Sequence, residues 1–366
     1  MNVLHLCSIY GDSFFENLIS NISEPNISTS VFYPRRKDKK FNKYTDLYEV
    51  ESPVIFNKLD RIFYRWKQHK YLRSIKRKYE LSKIDLIHAH TLYTDGYSAY
   101  RVHMEFNIPY VVAVRSTDIH YFRKYRKDLY RIAKKILQGA AKIIVLSKSY
   151  SKLVPHYFGK DLKSKIDIIP NGLDPVFLEN INNIKKKKTD NIKIITVGYI
   201  SKRKNQIFVC KALNSLYKKG YSVKYTVIGK VLDQQIYDEL VSYPFVSYKK
   251  FMRKEDLINE YRKNDIFVMP SLSETFGLTY LEAISQNTPV IYSANEGFDG
   301  YFEEGKVGFS VKKNDVKNLE ERILTINNAL EEFNNISSNA VNFDWKYIGK
   351  KYKFLYREIF FDDIQG

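Results

Sequence analysis

Two doubly wound α/β domains are the fold class that the sequence predicts, and three observations carry it. Short Val- and Ile-rich runs alternate with longer amphipathic stretches almost throughout the 366 residues, as in parallel sheets covered by helices on both faces. The runs fall into two sets, separated by a polar, charge-dense break, ENINNIKKKKTDN (179–191). A chain of this length also exceeds the size at which one core keeps growing.

In the first set the predicted strands are VLHLCS (3–8), STSVFYP (28–34), IDLIHAH (84–90), PYVVAVR (109–115), KIIVLS (142–147) and KIDIIP (165–170). Their continuous apolar character marks strands buried on both faces. Helical spacing occupies 59–80, 94–106, 123–138 and 148–157. The second set comprises IKIITVG (192–198), VKYTVIG (223–229), VSYKKF (246–251), DIFVMP (265–270), PVIYS (289–293) and GFSV (308–311), followed by a helix over 314–333. Aromatics at helical spacing in FDWKYIGKKYKFLYREIF (343–360) predict a terminal helix. The expected organisation is a first domain over 1–180, a solvated linker over 181–191, a second domain over 192–342 and a C-terminal helix over 343–366.

The net charge of +19, with the basic excess concentrated in the first half, asks for an anionic substrate or surface. Basic and aromatic residues interleave in LDRIFYRWKQHKYLRSIKRKY (59–79) and YFRKYRKDLYRIAKK (121–135). No RNA-recognition or helix-turn-helix signature accompanies them, which argues against nucleic acid as the partner. The two cysteines, Cys7 and Cys210, each sit in an apolar run and fit reduced, buried thiols of a cytoplasmic protein. No apolar run approaches the ~20 residues of a membrane span.

The most informative stretch is SLSETFGLTYLEA (271–283). DIFVMP delivers the chain to the carboxyl edge of a parallel sheet, where ligands bind. Pro270 ends the strand, and a helix is expected from about Leu278 to Gln286. Free N–H groups around Phe276, Gly277 and Leu278, with the helix dipole behind them, suit an anion. Glycine lets a ligand approach the backbone. Glu274 can accept hydrogen bonds from sugar hydroxyls, and Glu282, further into the helix, can hold a ribose diol through both oxygens.

This segment, from Asn264 to Ser293, resembles the signature of the family-4 retaining glycosyltransferases, whose GT-B fold sets two Rossmann-like domains across a cleft. The resemblance spans essentially the whole chain. It implies that Glu274 contacts the donor sugar, that Glu282 holds the nucleotide ribose, and that the backbone of Phe276, Gly277 and Leu278 holds the diphosphate. It also implies that the terminal helix packs back on the first domain. VGYISKRKNQ (197–206) is similar to the family's phosphate clamp: Lys204 stands at the lysine position after Gly198, while Tyr199 replaces the usual arginine and Arg203 or Lys202 is the candidate substitute. IDIIPNGLDPVF (166–177) matches the family's Pro-Asn-Gly-x-Asp marker. In VVAVRSTDIHYF (111–122), Arg115 replaces the family's histidine, Asp118 is kept and His120 is a further candidate. In SIYGDSF (8–14), Gly11 is one of two glycines common in the family's first strand-to-helix turn.

The resemblance implies transfer of a sugar from a nucleotide diphosphate sugar to a hydroxyl, with retention of configuration and no metal or other cofactor. It assigns Glu274, Lys204, Arg115 and Asp118 to the reacting centre. A lipid-linked glycan acceptor of surface-polysaccharide assembly is expected, with the protein cytoplasmic and peripheral on an anionic inner membrane face. A catalytically silent partner subunit is the alternative, because of Tyr199 and Arg115. HAH (88–90) places two imidazoles on one strand face, and with no third ligand nearby in sequence it is expected to be a core feature rather than a metal site.

Overall fold

The structure is a computed structural model that describes residues 1–11, 13–39, 41, 46–182 and 185–365. The chain divides into two compact units. Unit 1 takes Met1–Leu146, Tyr150–Pro170 and the segment from Trp345 onward; unit 2 takes Ser147–Ser149 and Asn171–Asp344.

Unit 1 contains β1 (Asn2–Leu6), β2 (Ser28–Phe32), β3 (Arg35–Arg36), β4 (Glu49–Glu51), β5 (Val54–Phe56), β6 (Leu86–Ala89), β7 (Tyr110–Ala113), β8 (Lys142–Val145) and β9 (Ile166–Ile168). Seven of these form a parallel sheet in the order β4-β2-β1-β6-β7-β8-β9, and β3 and β5 pair separately. Alternation along the strands divides the core into two faces. Leu4, Leu6, Ile87 and Val112 share one cluster with Tyr71 and Ile75 of the helix Tyr64–Lys78 and with Ile136 and Leu137 of the helix Tyr130–Gly139. Val3, Cys7, Val31 and Val111 share the other with Leu18 and Ile19 of the helix Ser13–Ile22 and with Ile348, Tyr352 and Tyr356 of the helix Trp345–Gln365.

Unit 2 contains β10 (Asn191–Val197), β11 (Ser222–Ile228), β12 (Val246–Lys249), β13 (Ile266–Met269), β14 (Val290–Ser293) and β15 (Gly308–Val311). They form a second parallel sheet, ordered β12-β11-β10-β13-β14-β15. In both sheets the first strand of the unit is flanked on either side by later ones, so strand order reverses beside β1 and beside β10. The crevice at such a reversal, outside the carboxyl ends, is where open α/β sheets bind ligands. Cys7 and Cys210 are both buried and free.

Three expectations change. The break between units falls at Pro170/Asn171, earlier than 180, because the short helix Pro175–Glu179 packs into unit 2: Phe177 meets the Tyr261 ring at 6.3 Å and Asp174 pairs with Lys254. The lysine run is not wholly solvated. Lys186 sends its ammonium to Thr288 Oγ1 at 2.8 Å and to the Asn264 carbonyl, and burial lowers its pKa to about 7; residues 183 and 184 lie outside the described residues. The helix expected over 123–138 is broken into Arg123–Tyr125, a turn at Lys127–Leu129 and a helix at Tyr130–Gly139. At the break Arg126 is non-helical, and its guanidinium grips Asp128 through Nε at 2.9 Å and Nη2 at 2.8 Å. An i,i+2 pair of this kind has no counterpart on a helix face.

Candidate active site

β10 and β13 are neighbours and end at Val197 and Met269. Beyond β10, Gly198 and Tyr199 lead to a short turn, Lys202–Lys204, and then to the helix Gln206–Lys218. Beyond β13, the loop carrying Glu274 leads to the helix Leu278–Ser285. The two loops meet through charge. Lys204, almost fully buried, donates to Glu274 Oε2 at 2.6 Å. Arg203 Nη1 lies 3.7 Å from the same oxygen and donates to the Ser273 carbonyl at 2.9 Å. Burial lowers the pKa of Lys204, and the Glu274 carboxylate opposes that shift.

Glu274 is braced by residues that the sequence reading did not single out. Its N–H donates to Glu296 Oε2 at 2.8 Å, and its carbonyl accepts from the Gly297 N–H at 2.9 Å. A side chain at Gly297 would bring its Cβ within 2.1 Å of the Thr275 carbonyl carbon, so only glycine lets the two loops touch. Gly277 has φ +86° and precedes the helix; a Cβ there would also strike the Tyr280 ring at 2.4 Å. The N–H groups of Gly277 and Leu278 have no acceptor among the described residues, as the first turn of a helix requires. The Phe276 ring is buried and packs edge-on against Tyr301 at 5.2 Å, which leaves only its main chain for a ligand.

Glu282 lies further along the same helix, half-buried, its Oε2 accepting from the Tyr261 hydroxyl at 2.9 Å. Burial raises its pKa to about 7, with the Tyr261 bond opposing. A cavity of about 320 Å³ opens between the two loops, walled by Gly198, Tyr199, Arg203, Lys204, Thr279 and Glu282, with Phe251 and Leu257 as apolar wall. Glu274 is not on that wall and meets the cavity through Lys204. Four cationic side chains (Arg203, Lys204, Lys230 and Lys254), a carboxylate and an apolar wall are the features that a nucleotide with a charged tail would use.

The unit 1 candidates are differently placed. Asp118 is buried, and its Oδ2 accepts the N–H groups of Arg115 at 2.8 Å and Leu92 at 3.3 Å, clasping two strand-end loops. Burial raises its pKa to about 7, and those bonds oppose the shift. Arg115 donates from Nε to the His90 carbonyl at 2.8 Å and lays its guanidinium over Phe15, 5.1 Å from the ring centre. His120 is exposed, on a turn that places its ring 6.2 Å from Tyr150. Gly11 is exposed, with φ +132°, beside the Tyr33 hydroxyl.

The histidine pair does have a third member. Parallel pairing sets His5 of β1 directly beside His88 of β6, and His90 follows two residues on. All three are buried, with ligand-capable ring nitrogens within 4.8 Å of one another. His5 Nδ1 lies 3.0 Å from His90 Nε2, and His88 Nδ1 lies 2.5 Å from the Tyr356 hydroxyl. Burial holds all three well below the ordinary imidazole range, so they are neutral. The sequence hides this partnership because it depends on the β1–β6 register.

Comparison with known proteins agrees with this geometry. Residues 13–177 match the profile described as Glycosyltransferase Family 4, and residues 178–343 match that of Glycosyl transferases group 1. The chain is 26% identical over 297 residues to an alpha-monoglucosyldiacylglycerol synthase of Acholeplasma laidlawii, across 74% of this chain and 73% of that protein. It is 30% identical over 210 residues to the capsular polysaccharide biosynthesis glycosyltransferase CapM of Staphylococcus aureus, across 53% and 54% of the two chains. In fold it is similar to Anabaena HepE, solved in complex with UDP, with a TM-score of 0.70 at 17% identity over 98% of this chain and 100% of that one. Two open parallel sheets, each with its crevice at a strand reversal, and these matches along the chain lead to one conclusion: the chain belongs to the family-4 glycosyltransferases and is a glycosyltransferase of the GT-B type.

Proposed function

We propose that this glycosyltransferase takes its sugar from a nucleoside diphosphate sugar and transfers it, with retention of configuration, to a hydroxyl of a lipid-linked glycan or glycolipid of the bacterial surface. The observation that carries the reading is the cavity bounded by Lys204, Arg203 and Glu282 at the carboxyl ends of β10 and β13. Lys204 and Arg203 would neutralise the departing diphosphate, a role for positive charge that needs no metal. Arg203 reaches Glu274 from the turn after Tyr199, so a guanidinium is available despite the missing family arginine. Glu274 would orient the sugar, directly or by holding Lys204, and Glu282 would hold the ribose. The N–H groups of Gly277 and Leu278 add donors toward phosphate. Retention would follow a front-face route in which the leaving phosphate assists deprotonation of the acceptor, with the protein supplying position and charge.

The acceptor side rests on unit 1. Leu59, Ile62, Phe63 and Trp66 are exposed among the bases of the first basic run, and Tyr121 and Tyr125 are exposed in the second. The two runs adjoin, with Arg126 over the Tyr64 ring at 5.9 Å. Exposed apolar side chains beside lysine and arginine suit an anionic leaflet, at ~1 kcal/mol per well-placed base. Among the described residues no helix is long and apolar enough to cross a membrane, so the proposed association is peripheral. The diacylglycerol and capsule relatives fit a membrane-borne acceptor.

A thermal-shift screen against UDP, GDP, ADP and their sugar conjugates, with and without EDTA, tests the donor reading. A ligand at ~100 times its dissociation constant stabilises by ~2.7 kcal/mol. The expected result is a selective shift that survives EDTA and is lost in Glu282→Ala. No shift with any nucleotide from folded protein would favour the silent-partner alternative.

A further inference from the structure

Unit 1 has its own pocket, of about 310 Å³, at the carboxyl ends of β1 and β2 and beside Thr94, which follows β6. It lies where strand order reverses, so it occupies in unit 1 the place that the donor cavity occupies in unit 2. No family motif marks it, and its charge is unbalanced. Arg35, Arg36, Lys39 and Lys67 line it, against a single acid, Asp60.

That acid is engaged through one oxygen, while its Oδ1 is buried with no hydrogen-bond partner among the described residues. Asp60 Oδ2 accepts from Lys70 at 2.6 Å and from the Asn57 N–H at 2.6 Å. Asp95, next to Thr94, is saturated by Ser8, Tyr71 and Thr91. Arg36 pairs with Asp38 at 3.2 Å, whereas Lys67 and Arg35 form no ion pair among the described residues. Lys67 Nζ donates to Thr94 Oγ1 at 2.9 Å and lies over the Phe56 ring at 5.0 Å. Burial lowers its pKa, and only the more distant charges of Asp95 and Asp60 oppose this. Arg35 is held by the Ser52 carbonyl at 3.2 Å and Ser52 Oγ at 3.1 Å, which fixes a guanidinium without neutralising it. Two positioned cations left unpaired in a pocket are half of a charge-assisted site for an oxyanion.

We propose that this pocket binds a phosphate group of the acceptor, with Lys67 and Arg35 as its principal ligands and Arg36 and Lys39 at its rim. The proposal rests on the glycosyltransferase reading and gives the acceptor a chemical class: a phosphorylated alcohol, either as a lipid headgroup or as a soluble sugar or polyol phosphate. A phosphate seated there would anchor the acceptor while leaving its hydroxyl unbound.

The test uses the full chain with the donor cavity saturated by UDP, so that phosphate probes report on unit 1. Glycerol phosphate is titrated calorimetrically, and vesicles of phosphatidylglycerol in phosphatidylcholine are assayed by co-sedimentation. The variants are Lys67→Met, Arg35→Gln and the conservative Lys67→Arg, each checked for fold by circular dichroism and for UDP affinity. The expected result is a loss of probe binding of about tenfold or more in Lys67→Met and Arg35→Gln, the size expected for losing a hydrogen bond to a charged group, with partial recovery in Lys67→Arg and unchanged UDP affinity. Binding of glycerol phosphate assigns the pocket to soluble phosphates, and binding of vesicles alone assigns it to a headgroup. Equal binding by wild type and variants, or binding of neither probe while UDP binds, overturns the proposal. Failure of UDP, GDP and ADP alike to bind, with phosphate binding still dependent on Lys67, removes the donor reading and leaves the anion pocket standing.

Discussion

The loops after β13 and after β7 have much in common on paper. Each follows a buried strand of a parallel sheet and carries an acid, and each places a base within reach. In unit 2 the acid Glu274 accepts from a side-chain ammonium on another loop, and that ammonium lines a cavity. In unit 1 the acid Asp118 accepts from two backbone N–H groups, and the base Arg115 donates to a backbone carbonyl. The first arrangement sets an ammonium paired with a carboxylate on a cavity wall, whereas in the second the carboxylate is taken up by backbone N–H groups and the guanidinium, held at Nε by a carbonyl, keeps its charge. Position at the carboxyl end of a strand therefore nominates a residue, but what its polar atoms already bind decides its role.

Four measurements would break or sharpen this contrast. The largest effect is expected for Lys204→Met, which should lower sugar-transfer turnover by about 10²–10³-fold, the usual cost of removing a preorganised donor. A loss below about tenfold would shift the charge role to Arg203 and weaken the contrast. Asp118→Asn should instead cost stability, about 1–3 kcal/mol by urea unfolding, because a buried acceptor of two N–H groups is altered. Its affinity for nucleotide should stay at the wild-type value, and a large drop would return Asp118 to the binding machinery.

Smaller in size is a pH effect on donor binding. Glu282 can accept from both hydroxyls of a diol, one at each oxygen, only when ionised, and burial raises its pKa to about 7. The ionised fraction therefore grows as pH rises through that value, and nucleotide affinity should increase roughly tenfold between pH ~6 and ~8. Calorimetry at both ends of the range checks this, and Glu282→Gln should flatten the profile. The smallest change is expected for Tyr199→Arg, which restores the family's arginine at the mouth of the cavity. With Arg203 already in place, the gain in donor affinity should be under about 1 kcal/mol, as for an exposed charge pair. A gain much larger than that would show that Arg203 does not substitute.

Most strands were legible because buried parallel strands are written as continuous apolar runs: each of the twelve runs read as a strand overlaps one, while the short, partly exposed β3, β4 and β5 lie outside them. Glu274 and Lys204 were legible as positions for a related reason: they lie in the loops that follow Met269 and Val197, strand ends whose direction fixes where they emerge, and Glu282 follows on the helix that the first of these loops starts. What escaped was set by pairing across long stretches of sequence. Glu296 and Gly297 brace Glu274 from a loop beyond β14, and no local spacing announces them. His5 joins His88 and His90 only through strand register. Lys67 lies in the basic-aromatic run 59–79 and Arg35 in a short strand outside every predicted run, and nothing local announces that they line one pocket. Arg115 was legible as a position, but its contact with the His90 carbonyl, on another strand-end loop, was not.

The helix Trp345–Gln365 belongs to unit 1, yet it follows the whole of unit 2 in the chain. During synthesis the ribosome therefore delivers every strand of the first sheet long before it delivers the helix whose Ile348, Tyr352 and Tyr356 cover one face of that sheet. Until then Val3, Val31 and Val111, together with the imidazoles of His5 and His88, lack that cover, while unit 2 can complete its own core. The usual order, in which the domain synthesised first matures first, should be inverted here. The nascent chain would carry a finished second unit beside an unfinished first one, and that interval is when a chaperone would have most to hold.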